Sequence, residues 1–67
     1  MEVLVNNQTI NTPASCTINK LLPLLGISDT RGIAVAVNEQ VIAKASWPTY
    51  ELLPEDKVML IKATQGG

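Results

Sequence analysis

Lys57-Val58-Met59-Leu60-Ile61-Lys62-Ala63-Thr64-Gln65-Gly66-Gly67 is the stretch on which the reading of this chain rests. Its first part reads as an apolar strand, which needs a sheet to anchor it. Polar residues end the run, and two glycines follow. Glycine carries no side chain and reaches φ values closed to other residues, so this end can enter a narrow channel. The group on offer is then the α-carboxylate of Gly67, and the expectation is a domain that presents it to other enzymes. The bland alternative is an incidental small, polar chain end. At a glycine usage of about 7%, two terminal glycines arise in roughly one chain in two hundred, so the rest of the sequence has to decide.

Working back from that strand, Leu53-Pro54-Glu55-Asp56 reads as a turn, with Pro54 where its fixed φ suits a type I geometry. Lys44 to Leu53 holds both aromatic residues, Trp47 and Tyr50, around Pro48. That pattern predicts a 3₁₀ turn whose aromatic surface closes the core. Val41-Ile42-Ala43 is a short strand, and Asn38-Glu39-Gln40 turns the chain into it. Ile33 to Asn38 is a longer strand with Ile33, Val35 and Val37 on one face. A polar loop, 28–32, precedes it.

Ile18, Leu21, Leu22 and Leu25 fall at i, i+3, i+4 and i+7, one face of a helix. Thr17 is the expected N-cap, with Ser15 as the alternative. Gly26 sits where a left-handed C-terminal cap would, followed by Ile27. Pro23 costs a hydrogen bond and a clash inside a helix, about 3 kcal/mol, so the helix should be short or kinked. At the start, Met1 to Val5 alternates as a strand. Asn6-Asn7 suits a tight hairpin, and Gln8 to Thr12 returns as a second strand that Pro13 ends.

The order strand, strand, helix, strand, short strand, turn, strand predicts an α+β fold of β-grasp type. Its mixed sheet would have four to five strands, with one helix packed on one face and the last strand in a central place. Residues 1–64 form the domain and 65–67 a flexible tail.

Composition narrows the chemistry. The chain has 67 residues, one cysteine and no histidine. A domain this small buries only about 60% of its extended surface. No internal disulfide can help, and no zinc or haem spacing is present. The apolar fraction of 46% is almost entirely aliphatic, so the core must be tight. With no histidine, acid–base catalysis would fall to Asp, Glu, Lys or Cys, and no acid pair suggests a buried dyad. The expectation is a protein that is not itself an enzyme. Net charge is −1 with no basic run, which gives no sign of nucleic-acid or membrane binding. No signal peptide or membrane span is read, and a cytoplasmic protein, monomeric when free, is expected. Cys16 is read in a polar loop before the helix, without a nearby base or partner thiol; a helix N-terminus can activate a thiol, but a catalytic role is not favoured.

Val35-Ala36-Val37-Asn38, then Val41-Ile42, Lys44, Trp47, the approach to Asp56, the apolar strand and Gly66-Gly67 resemble the sulfur carrier proteins of thiamine biosynthesis, the ThiS family. The resemblance covers the whole chain. The diglycine is shared with ubiquitin-like modifiers and with the small subunit of molybdopterin synthase. The family often has Pro-Arg where Ala43-Lys44 stands here, and Gly-Asp where Glu55-Asp56 stands. Gln65 replaces a residue that is often small.

The resemblance implies a mechanism. An E1-like adenylyltransferase of the ThiF type transfers AMP from ATP to the Gly67 carboxylate. A sulfur donor displaces AMP to leave a thiocarboxylate, and a thiazole synthase of the ThiG type takes the sulfur. Gln65 and Gly66 enter the partners' active sites. No cofactor is bound by the chain; ATP is consumed by the partner. Alternation then suggests the docking surface. If Val58 and Leu60 face the helix, Met59 and Ile61 join Leu4, Ala34 and Ala36 on the open side of the sheet, an apolar patch of the kind that marks binding sites. Two other readings stay open. One is a carrier for molybdopterin or another sulfur-dependent product; the other is a non-covalent β-grasp interaction module.

Overall fold

The computed structural model describes residues 1–62. Five strands form one sheet: β1 (Glu2–Val5), β2 (Gln8–Asn11), β3 (Ile33–Val37), β4 (Gln40–Ile42) and β5 (Lys57–Lys62). Their spatial order is β2-β1-β5-β3-β4, so the last strand is the central one, as expected. β5 runs parallel to β1 and antiparallel to β3; β1–β2 and β3–β4 are antiparallel hairpins. The helix α1 (Ile18–Leu24) packs on one face. This is the β-grasp arrangement.

Both hairpins turn on two residues in the left-handed region, Asn6 and Asn7 (φ 49° and 68°) and Asn38 and Glu39 (φ 50° and 71°). Positive φ at both central positions matches the right-handed twist of the strands the turn joins. The second turn is one residue tighter than the sequence suggests. It therefore starts β4 at Gln40 and sets Val41 opposite Ala36.

A seven-residue helix has little stability of its own, and its ends show what holds it. The Thr17 hydroxyl accepts from the Lys20 N–H at 3.3 Å, the expected cap. The next N–H groups are taken by a neighbouring loop: Ile18 donates to Tyr50 O and Asn19 to Trp47 O. At the other end Gly26 has φ +78°, with Gly26 N–H bonded to Pro23 O and Ile27 N–H to Leu22 O. This paired closure satisfies carbonyls the helix would otherwise orphan. Pro23 is tolerated inside the helix, where Asn19 and Pro23 are both exposed, so water can replace the missing bond.

Ile18, Leu21 and Leu22 are fully buried against Val3, Val5, Val35, Val37 and Val58 from the sheet. Burying each such side chain contributes about 1.5–3 kcal/mol. Trp47 and Leu52 close the core, and the Trp47 Nε1–H donates to Ile42 O at 3.1 Å. The 3₁₀ turn spans Lys44–Ser46, ahead of Pro48 rather than around it.

Two expectations are corrected. Cys16 does lie in the loop before α1, but its side chain turns away from that loop's exposed residues: it is 1% exposed and part of the core. Its backbone carbonyl accepts from the Leu52 N–H, and the two side chains share one buried cluster. The turn before β5 is not type I, because Glu55 has φ 66°. With Asp56 N–H bonded to Leu53 O at 3.1 Å, it has the left-handed third residue of a type II turn.

Candidate functional site

The site is built on β5. Alternation sends Val58 (2% exposed) into the core and Leu60 partly into it, leaving Met59 (54%) and Ile61 (47%) on the opposite face. β3 pairs Met59 with Ala36 and Ile61 with Ala34. Because alanine is short, the two larger side chains stand proud of the sheet. Leu4 follows from β1, next to Lys57 in the parallel register. All five residues expected on this face lie on it. They differ in exposure: Leu4 is half-buried and Ala36 is only 8% exposed, small and flanked on both sides by paired strands.

Val41 was missed. It is 73% exposed and sits opposite Ala36 on β4, so it extends the apolar row Met59–Ala36–Val41. The missing signal was the two-residue turn, which fixes that register. A groove of about 290 Å³ lies beside this row between Leu4, Ala36 and Met59, rimmed by Asn6, Glu39 and Lys57.

Side chains from the hairpin turns hold β5 in place. Asn38 Oδ1 accepts from the Lys57 N–H at 3.1 Å, and its Nδ2 donates to Asp56 Oδ1 at 3.0 Å. Asp56 Oδ2 accepts from the Leu53 N–H at 2.8 Å. Asp56 is thus a buried, hydrogen-bonded brace rather than a surface turn acid. Farther along, Asn6 Oδ1 accepts from the Leu60 N–H at 3.0 Å.

The far end of β5 is basic. Lys62 pairs with Ile33, and Arg31 and Lys44 lie nearby. Arg31 forms a two-pronged pair with Asp29, Nε to Oδ1 at 3.0 Å and Nη2 to Oδ2 at 2.9 Å. The Arg31 guanidinium, then the Arg31 N–H, hold the Asp29 carboxyl below its usual range, and Lys44 and Lys62 add to this. Lys44 Nζ donates to Thr30 O at 3.2 Å and lies 5.7 Å from the Trp47 ring centre. That is within cation–π range.

Gln65, Gly66 and Gly67 lie outside the described residues, as does the expected domain boundary at residue 64. Gly67 follows Lys62 by five residues, a contour of at most about 18 Å. Among the described residues no group of three His, Cys, Asp or Glu comes together, and no helix is long and apolar enough to cross a membrane.

A profile of the ThiS family matches residues 2–67, the diglycine included. The chain belongs to the ThiS family. Among curated relatives it is similar to the sulfur carrier protein ThiS of Escherichia coli, with 28% identity over 67 residues and full coverage of both chains. It is also similar to part of a thiazole synthase of Paramagnetospirillum magneticum, 31% identical over 67 residues that make up 20% of that protein. The fold matches the crystal structure of a thiamine biosynthesis protein (ThiS) from Geobacter metallireducens, with TM-score 0.85, 20% identity and full coverage of both chains. The solution structure of a thiamine biosynthesis protein from the same organism gives TM-score 0.79 at 22% identity, over all of this chain and 88% of the other.

Proposed function

We propose that this chain is a sulfur carrier for thiazole formation in thiamine biosynthesis, a protein cosubstrate rather than a catalyst. The observation that carries the reading is the family match running from Glu2 through Gly67. A carboxylate is a poor electrophile. An E1-like adenylyltransferase converts the Gly67 carboxylate to an acyl adenylate, with release of pyrophosphate from ATP. A donor at the sulfide oxidation level then attacks the acyl carbon; a C–S bond forms, the C–O bond to AMP breaks, and a thiocarboxylate remains. Thiazole synthase is the acceptor, a reading supported by the likeness to part of a thiazole synthase.

On this reading the chain supplies three things. Gly66 and Gly67 bring no side chains into the partners' channels, and Gln65 enters with them. The apolar row on the open face docks the partner, with Leu4, Ala34, Ala36, Met59 and Ile61 extended by Val41. β5 joins the two, since it carries Met59 and Ile61 and leads into the tail. Placing the docking face on the strand that precedes the tail limits how far the reacting group can extend from the interface, since Gly67 follows Lys62 by only five residues.

The test is intact mass after incubation with the activating enzyme, ATP and a sulfide source, beside a Gly67-deleted control. The expected result is a gain equal to one oxygen replaced by sulfur, absent from the control. An unchanged mass, with the activating enzyme proven active on another carrier, would overturn the reading.

A further inference from the structure

β1 and β5 part company half-way along the sheet. The parallel ladder between them ends at Val5 and Val58, with Asn6 N–H bonded to Val58 O. β5 continues to Lys62, paired only with β3. Backbone groups on a strand alternate in direction. Val58, Leu60 and Lys62 point theirs toward β1, because Val58 O accepts from Asn6 and Leu60 N–H is bonded to the Asn6 side chain. The Leu60 carbonyl and the Lys62 N–H come next in that series. Neither has a hydrogen-bond partner among the described residues. The central strand therefore has an open edge over its last three residues, about 10 Å at a strand's rise.

That edge borders a groove of about 430 Å³, whose lining includes Leu60, Ile61 and Lys62 of β5 together with Asn6, Ile27 and Asp29. An acceptor and a donor two residues apart on an extended backbone suit another extended backbone, which can bond both at once. We propose that this edge is a strand-addition site for an extended segment of the thiazole synthase. This rests on the sulfur-carrier reading above and specifies where that partner grips. The added strand would bond the Leu60 carbonyl and the Lys62 N–H and lie beside the chain that leads to Gly67.

Lys62 separates backbone from side chain. Lys62→Pro removes the N–H that points to the open edge, leaves the β3 side of the ladder intact, and is compatible with a strand edge. Lys62→Ala removes the charge and keeps the N–H. Titration calorimetry of the full chain against purified thiazole synthase should give about tenfold weaker binding for Lys62→Pro. Lys62→Ala should bind within about threefold of the parent. Amide hydrogen exchange on the unaltered protein is the second readout, and decides alone should Lys62→Pro fail to fold. The Lys62 N–H should exchange freely in the isolated protein and at least about tenfold slower in the complex. The Ile61 N–H, directed at β3, should be protected in both. Equal binding by the two variants, unchanged Lys62 exchange, or weakening seen only with the activating enzyme would overturn the proposal. No binding by the unaltered chain would instead overturn the choice of synthase as partner, and this inference with it.

Discussion

Replacing Glu55 by glycine should stabilise this protein. Glu55 is held at φ 66° in the turn that launches β5. A left-handed conformation costs an L-residue about 1–2 kcal/mol. Glycine avoids that but adds about 0.5–1 kcal/mol of backbone entropy to be lost on folding. The difference favours Glu55→Gly by about 0.5–1 kcal/mol. Nothing offsets it: the Glu55 side chain is exposed and has no ion pair or hydrogen bond among the described residues. The turn's backbone bonds, Glu55 N–H to Glu2 O and Asp56 N–H to Leu53 O, survive the change.

Gly26→Ala runs the comparison in reverse. Gly26 has φ +78°, and a methyl group there would meet no atom within 4 Å. Its cost, about 1 kcal/mol, is thus a backbone cost alone. Urea unfolding followed by the fluorescence of Trp47, the chain's one tryptophan and a buried residue, reads both variants. A domain of this size has a total stability of about 3–10 kcal/mol, so the shifts are measurable. The melting temperature should rise by about 3–7 °C for Glu55→Gly and fall for Gly26→Ala. A loss of stability in Glu55→Gly alongside a loss in Gly26→Ala would refute the argument, since one conformation cannot both penalise and favour a side chain.

Three further outcomes are expected. Ile61→Asp, at a half-exposed position on the open face, should fold normally and lose at least tenfold in adenylation or sulfur transfer; unchanged transfer would sink the docking-face reading. Cys16→Ala should load sulfur fully by intact mass while melting lower, by about 1 kcal/mol of lost packing, because the thiol is buried in the core; loss of loading in a folded variant would give Cys16 a chemical role. Asp29 is held below its usual carboxyl range by Arg31. The stability it contributes is present above the unfolded carboxyl's pKa and is lost as pH falls through the lowered folded value. Arg31→Ala should therefore melt lower than the parent at neutral pH, with the gap closing in acid, and a pH-independent gap would contradict this.

Local signals in the sequence were reliable here. The leucine stripe, the Thr17 cap and the Gly26–Ile27 closure each depend on residues within a turn or two, and each is present. The asparagines of the first hairpin were equally legible, because their left-handed tolerance is intrinsic. What was misread depends on distant partners. Cys16 looks polar-flanked in sequence, yet it is buried in one cluster with Trp47 and Leu52, which are distant along the chain. Asp56 is the turn residue the sequence suggests, but its second role as a brace was not legible, because it depends on Asn38, eighteen positions away. Val41 escaped notice because one residue of turn length decides which neighbour it faces. Along β5, alternation alone separated Val58 from Met59 and Ile61, since a period of two leaves no choice once one face is the core.

β5 carries three demands at once, and its neighbours explain how it meets them. Its inward residues close the core under the helix, its outward residues form the apolar row, and its last residue precedes the segment that ends in the diglycine. A strand that must hold while a partner works on its extension needs anchoring at its start. There β1, β3, the Asn38 side chain and the Asp56 brace all converge. Toward Lys62 the support thins to β3 and one asparagine side chain. Stability in small domains is not uniform, and the parts that meet partners come from its lower end. The gradient along β5 therefore runs in the direction a carrier requires, from a fixed base toward a segment whose remaining backbone bonds are left for another protein to make.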